Sequence, residues 1–430
     1  MPEDKGGPPP GVADVSLNSK EFYALLLFVA VVGVAGALIF IVFFLVEDVL
    51  TGLLWEGISM NSLSPVFDLR ILVICILGGL LAGGIRSWLK GDIAIMAEDL
   101  IEFEKEGKFG LKRGLELFLR GLASLVCGAP LGPEAPLTVS TGAVGAVIAE
   151  KARLPGPVVP LSSISGITGF FGAFLSSPFA GSLIFIETTL EKGVMNWKVV
   201  LPTIVAATAG FAATFLLTGP LIGATFALPP PGGWRDIYLL YAILLGAIGG
   251  ACGILFIGVY HRVRRIFEPL EHRPMLLGLI GGIGMGVTGL LLPLTLFMGN
   301  DQLQFLVEHY LEAGILLLAA LVIGKILLMA FSFSTGFAGG YIFPSFFIGG
   351  TLGVLVCRLL PFMPLALCVV CIIAGVSVSL LRSPIALAFL IGVFFQSPFV
   401  PAMAVSLVIG FCVSYRFSLP YTRKGTGKPA

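Results

Sequence analysis

Charge is missing from this chain over lengths that no water-facing fold tolerates. No charged side chain occurs between Arg153 and Glu187 or between Lys198 and Arg235, and only Arg358 and Arg382 interrupt the stretch from Lys325 to Arg416. Charged residues make up 12% of the 430 and hydrophobic residues 57%, against roughly 25% charged in an ordinary soluble domain. A surface so poor in charge cannot face water, which excludes a soluble enzyme. The net charge of +1 offers no basic footprint for a nucleic acid. The 56 glycines and 28 prolines are dispersed through apolar sequence, which excludes collagen and wholesale disorder. The solvent for most of the chain is lipid.

The polar ends are short. Residues 1–20 and 422–430 read as disordered tails, flanking one membrane domain over 21–421. Phe22 to Val46 is too long for a signal-peptide core and has no basic leader, so it is predicted to be a retained membrane helix. Further apolar segments lie near 70–88, 111–131, 134–149, 156–175, 178–190, 196–218, 236–260, 274–297, 312–333, 341–360, 364–381, 383–396 and 399–415. Several are shorter than the ~20 residues a crossing needs. Gly and Pro interrupt them, as in discontinuous or re-entrant helices, whose backbone is tolerated only inside protein or beside a water-filled cavity. The predicted fold class is an all-α polytopic membrane protein with many tilted, broken and re-entrant helices. Residues 89–113 hold most of the local charge and read as an interfacial helix and loop. Basic clusters at 261–265 and 272–273, with Arg416, Arg423 and Lys424, place that loop and the C-terminus on the cytoplasmic side. Both termini are expected in the cytoplasm, in a plasma (inner) membrane.

No metal or cofactor is expected. The seven cysteines all lie in apolar segments, and the Cys368/Cys371 pair has no second pair or nearby histidine to complete a site. They read as small packing residues. His261, His272 and His309 are too far apart for a metal motif.

An internal repeat organises the rest. GFFGAFLSSPFAGSLIFIE (169–187) is similar to AGVSVSLLRSPIALAFLIG (374–392), with Pro178 and Pro384 in matching places. Upstream of each lies a Gly/Pro-rich break, GAPLGPEAP at 128–136 and GFAGGYIFP at 336–344. Two motifs recurring in the same order at nearly the same offset predict two related halves, roughly 70–218 and 236–415. Broken helices in corresponding positions point to a substrate site near mid-membrane.

Glu134 stands in the first break, with Arg120 the nearest charge before it and Glu150 the next after it. Pro133 and Pro136 suit the first turn of a helix, so Glu134 is predicted at a helix N-terminus. The free N–H groups and the helix dipole favour negative charge there. A carboxylate at such a place occupies an anion's position, and protonation would release it. The alternative is a plain helix cap at the membrane edge. In the second break, Gly339 and Gly340 leave backbone uncovered and Pro344 suits a helix start. The amides of Tyr341, Ile342 and Phe343 are therefore candidate anion donors, with a tight helix–helix contact as the alternative.

These residues resemble the CLC family of chloride channels and chloride/proton antiporters. KILLMAFSFSTGFAGGYIFPSFFIGGTLG (325–353) carries GGYIFP, similar to the family's G-x-F-x-P signature, and GPEAP (132–136) resembles G-[KR]-E-G-P. SSPFAGSLIFIE and AGVSVSLLRSPIALAF resemble the helices that follow in the two halves, and SLPYT (418–422) lies where the family has a pore-lining tyrosine. The resemblance implies a CLC-type inverted repeat and transport of chloride or a similar anion. Glu134 would be gate and proton acceptor, and Gly340, Tyr341, Ile342, Phe343 and Tyr421 would bind the anion. It implies a homodimer with one pore per subunit. The soluble regulatory domain of many members is not expected, since the chain stops at Ala430.

Four departures bear on mechanism. The G-S-G-I-P signature is absent; KGDIAIM (90–96) takes its place, with Asp92 or Ile93 opposite the anion-binding serine. Pro133 stands where the family has a basic residue, and Ile342 where it has phenylalanine. Thr188 falls at the inner proton-passing glutamate, with Glu187 beside it. Threonine cannot release a proton, and on a helix Glu187 points about 100° away from its neighbour. Coupled exchange and passive conduction therefore both stand. A secondary transporter for an organic solute would need more intramembrane charge than this chain has, and an intramembrane enzyme would need a nucleophile–base or metal constellation that the scattered histidines do not supply.

Overall fold

A computed structural model describes residues 19–91, 103, 106–190, 197–219, 226–229, 233–395, 398–417 and 419, the side chains of 188–190 excepted. Most of the predicted interfacial segment, including Asp92 and Ile93, lies outside the described residues, as do 1–18 and the C-terminal stretch with Tyr421.

Among the described residues the chain is helical. Its elements are α1 (Lys20–Leu54), α2 (Leu69–Leu89), α3 (Leu111–Val126), α4 (Glu134–Lys151), α5 (Val158–Phe174), α6 (Pro178–Leu190), α7 (Trp197–Thr218) and α8 (Ile237–Phe267). They continue with α9 (Pro274–Leu291), α10 (Asn300–Glu308), α11 (Ile315–Ser334), α12 (Ile342–Leu359), α13 (Leu365–Leu381), α14 (Pro384–Phe395) and α15 (Val400–Ser414). Local chemistry sets many of the starts. Ser19 and Asp68 accept from Phe22 N and Arg70 N at the heads of α1 and α2. Pro178, Pro274 and Pro384 open α6, α9 and α14, where a missing N–H costs little.

Among the described residues, seven helices are long and apolar enough to cross a membrane: α1, α2, α7, α8, α9, α11 and α12. The others fall short or are less apolar, as the broken apolar segments predict. One element has no counterpart in the sequence reading. α10 (NDQLQFLVE) looks like a polar loop, but it buries Leu303, Leu306 and Val307. Leu303, Leu306 and Val307 fall at helical spacing, and Leu303 lies over Gly350 of α12, so tertiary burial of this short amphipathic face supports the helix.

The packing runs in two parallel sets. α1 packs on α5 and α7, and α8 packs in the same way on α13 and α15. α4 lies between α3 and α5, and α12 lies between α11 and α13. α1 thus stands to the first set as α8 stands to the second. Lipid supplies little drive for apolar side chains to associate, so close approach of small residues carries the contacts. A Cβ on Gly36 would lie 3.1 Å from the carbonyl carbon of Gly166, and one on Gly249 would lie 2.8 Å from the Cα of Gly375. The sets meet where α2 crosses α9, with Gly79 and Gly278 backbone to backbone, and where α6 packs on α14.

Candidate functional site

The two Gly/Pro-rich breaks fold alike. Gly128 and Gly336 both adopt positive φ, at +83° and +94°, a conformation in which glycine is at no disadvantage. In each break the next residue bonds back into the preceding helix, Ala129 N to Ser124 O and Phe337 N to Ser332 O. The chains then run extended and antiparallel past each other. Gly132 N donates to Gly340 O at 2.9 Å, and Gly340 N donates to Gly132 O at 2.6 Å. Residues at matching places in the two breaks therefore pair with each other, which puts a local two-fold relation between them.

One bond breaks that relation. Ala338 N donates to Ser124 Oγ at 3.1 Å. The mirrored bond would run from residue 130 to Ser332, but residue 130 is proline and has no N–H. Ser332 Oγ is accordingly buried without a hydrogen-bond partner among the described residues.

α4 begins at Glu134 and α12 at Ile342, directly beyond the paired glycines. The Glu134 side chain is fully buried, at 0% exposure. It crosses to the other half, where Oε1 accepts from Phe343 N at 3.3 Å, and the Ile342 amide is directed at the same carboxylate. Oε2 has no hydrogen-bond partner among the described residues. A Cβ on Gly132 or Gly340 would collide with this carboxylate, so both glycines form its cradle. The negative group rests on the N-terminus of α12 with no cation bonded to it among the described residues. Charge is held here by backbone donors and helix polarity. The Phe343 ring packs against Phe174 and Phe394, at 5.1 and 5.4 Å between centroids, which makes the adjacent wall apolar.

The sequence-predicted residues are brought together in part. Glu134, Gly340, Ile342 and Phe343 meet at one point, with Tyr341 as the buried N-cap of α12. Tyr421 lies outside the described residues. Thr188 is on α6, and its side chain is outside the description. Glu187 has a role the sequence did not suggest. Its Oε1 and Oε2 accept from Ile385 N and Ala386 N, both at 2.8 Å, capping the N-terminus of α14 in the opposite half.

Two buried cations also escaped the sequence reading. Arg120, fully buried, pairs with Glu116 at 2.9 Å, and Arg113 reaches the same carboxylate at 2.7 Å. Lys325 is fully buried on α11. Its position at the edge of the longest charge-poor stretch was the available signal, since an intramembrane ionisable residue is by default of functional interest.

Paired broken helices whose ends converge on one buried carboxylate are the architecture of a multi-pass membrane transport protein. The model of the voltage gated chloride channel family matches residues 78–415; the chain belongs to this CLC family of anion transport proteins. It is 29% identical over 379 residues to "Putative ion-transport protein YfeO" of Shigella flexneri, covering 84% of this chain and 85% of that one. It is also 29% identical over 381 residues to the protein of the same description in Escherichia coli (strain K12 / DH10B), with the same coverage. Among solved structures, a CLC-type fluoride/proton antiporter superposes with a TM-score of 0.73 at 21% identity, covering 93% of this chain and 97% of that chain. A slow cyanobacterial Cl-/H+ antiporter superposes with a TM-score of 0.72 at 19% identity, covering 93% and 95%. These likenesses establish the CLC fold.

Proposed function

We propose that this protein carries small anions, with chloride as the reference substrate, and that Glu134 is both the gate and the proton acceptor. The observation that carries this reading is the Glu134 carboxylate lying on Phe343 N between Gly132 and Gly340. A carboxylate there acts as a tethered anion. Protonation removes the charge that the α12 amides hold, the side chain leaves, and a free anion takes the seat at Gly340, Tyr341, Ile342 and Phe343. Tyr421 closes the inner side in this scheme. The relatives in fold are described as fluoride/proton and Cl-/H+ antiporters, which supports exchange of anion against proton. The scheme also has a homodimer with one pathway per subunit, in the plasma membrane with cytoplasmic termini.

Passive conduction is the second reading, and Glu187 favours it. Both its oxygens hold amides of α14, so taking up a proton would cost one of those bonds, and Thr188 beside it cannot release one. Liposomes loaded with chloride, nitrate or fluoride, with external pH monitored, separate the two. In an exchanger a pH gradient drives anion uphill, and Glu134→Gln or Glu134→Ala abolishes that while downhill flux persists. In a passive channel the wild type moves no protons. Unchanged pH coupling in Glu134→Ala refutes the assigned role.

A further inference from the structure

Lys325 Nζ is surrounded by negative ends of dipoles. It donates to the carbonyl oxygens of Thr295, Leu296 and Phe297 at 2.9, 3.3 and 2.6 Å, and stands 4.8 Å from the centroid of the Phe347 ring. An ammonium has three N–H donors, which three carbonyls and a ring face satisfy completely. A neutral amine has two, and its lone pair would face the third carbonyl. These surroundings match the donor count of an ammonium.

No carboxylate pairs with this cation among the described residues. Arg120, the other fully buried cation noted above, is neutralised by Glu116. Glu47, Asp48 and Asp301 line a cavity of about 550 Å3 that also takes in Phe297 to Gln302, but none of them bonds Lys325. The Lys325 head group contacts one neighbour of each arm of the Glu134 seat, Phe347 on α12 and the 295–297 turn. Phe347 follows Phe343 by one helical turn on α12, about 6 Å along the surface. The Phe297 amide, on the turn that Lys325 clasps, donates to Gly128 O at 3.0 Å, where the first break begins. Pro133, next to Glu134, carries no charge. In a low-dielectric interior the field of such a cation reaches across these distances with little screening.

We propose that Lys325 is an electrostatic positioning residue for the transported anion: its unpaired charge raises the affinity of the seat that Glu134 and the entering anion share. The inference rests on the reading of Glu134 as gate, and the two fail separately. Full-length protein is reconstituted as wild type, Lys325→Met, Lys325→Arg and Glu134→Gln, and chloride flux is measured against chloride concentration. Lys325→Met should raise the apparent KM roughly tenfold with the maximal rate within about twofold, and Lys325→Arg should restore the wild-type KM. The rise should be alike for chloride and nitrate, because a fixed charge does not read ion shape. An unchanged KM with a lowered maximal rate overturns the proposal and leaves Lys325 as a clasp for the 295–297 turn. If Lys325→Met yields no monodisperse protein, Lys325→Gln keeps donors and loses the charge, and a wild-type KM in that variant overturns it equally. Failure of the gate reading shows instead as wild-type flux and pH response in Glu134→Gln.

Discussion

Gly132→Ala tests the seat without touching the carboxylate. Gly132 is not among the residues with positive φ, so its backbone accepts alanine. The three heavy atoms nearest an added Cβ all belong to the Glu134 carboxyl group, with the carboxyl carbon and Oε1 each at 2.5 Å. The methyl group therefore competes with the Glu134 carboxylate for the cradle and collides first with that one movable side chain. Displacing Glu134 forfeits its hydrogen bond from Phe343 N. A hydrogen bond to a charged group is worth about 1.5–3 kcal/mol net, which is roughly a ten- to hundredfold shift from closed to open gate at 1.4 kcal/mol per decade. Initial rates of chloride efflux from liposomes, taken across a pH series, should rise and lose most of their pH dependence, approaching those of Glu134→Ala. The double variant separates a gate effect from general damage. With the carboxylate gone, the three atoms nearest the alanine methyl go with it, so Gly132→Ala/Glu134→Ala should match Glu134→Ala within about twofold. A wild-type pH profile in Gly132→Ala would refute the argument. So would a double variant that adds a further loss of the same size.

Two other substitutions probe the frame around the seat. Glu187→Ala leaves the Ile385 and Ala386 amides without their acceptor, at a cost of about 2–6 kcal/mol. It should lower the thermal midpoint in detergent and speed amide exchange at those two residues, and unchanged protection there would remove Glu187 from the capping role. Ser124→Ala and Ser332→Ala occupy matching places but should differ. The first strands the Ala338 amide, at about 1–3 kcal/mol, while the second removes a buried hydroxyl that has no partner among the described residues and should be neutral or stabilising. Equal effects on the thermal midpoint would show that the Pro130 asymmetry carries no energy.

Much of this protein is legible before any coordinates, because the membrane imposes strict terms. A helix in hydrocarbon satisfies its own backbone groups and admits few charges. The charge-free runs therefore announce the class of fold, and one glutamate among them announces a site. The Gly/Pro breaks announce where helices stop and restart, since these residues act locally through φ and the missing N–H. Pro178 and Pro384 begin α6 and α14, and Glu134 begins α4, each where the local signals put it.

Partners are another matter. Glu134 reaches an amide 209 residues away, Glu187 reaches amides 198 and 199 away, and Lys325 clasps carbonyls 28 to 30 residues back. Nearly every residue carries a backbone donor and acceptor, so nothing in the sequence marks Phe343, Ile385 or Phe297 as the ones in reach. That choice falls to the packing of one half on the other, through the crossing of α2 with α9 and the pairing of Gly132 with Gly340. The same holds for α10, whose nine residues become a helix only over α12. The amino-acid order sets which groups are scarce and where helices end; the assembled fold sets which of those ends face each other, and hence that the Glu134 carboxylate lies on the N-terminal amides of α12.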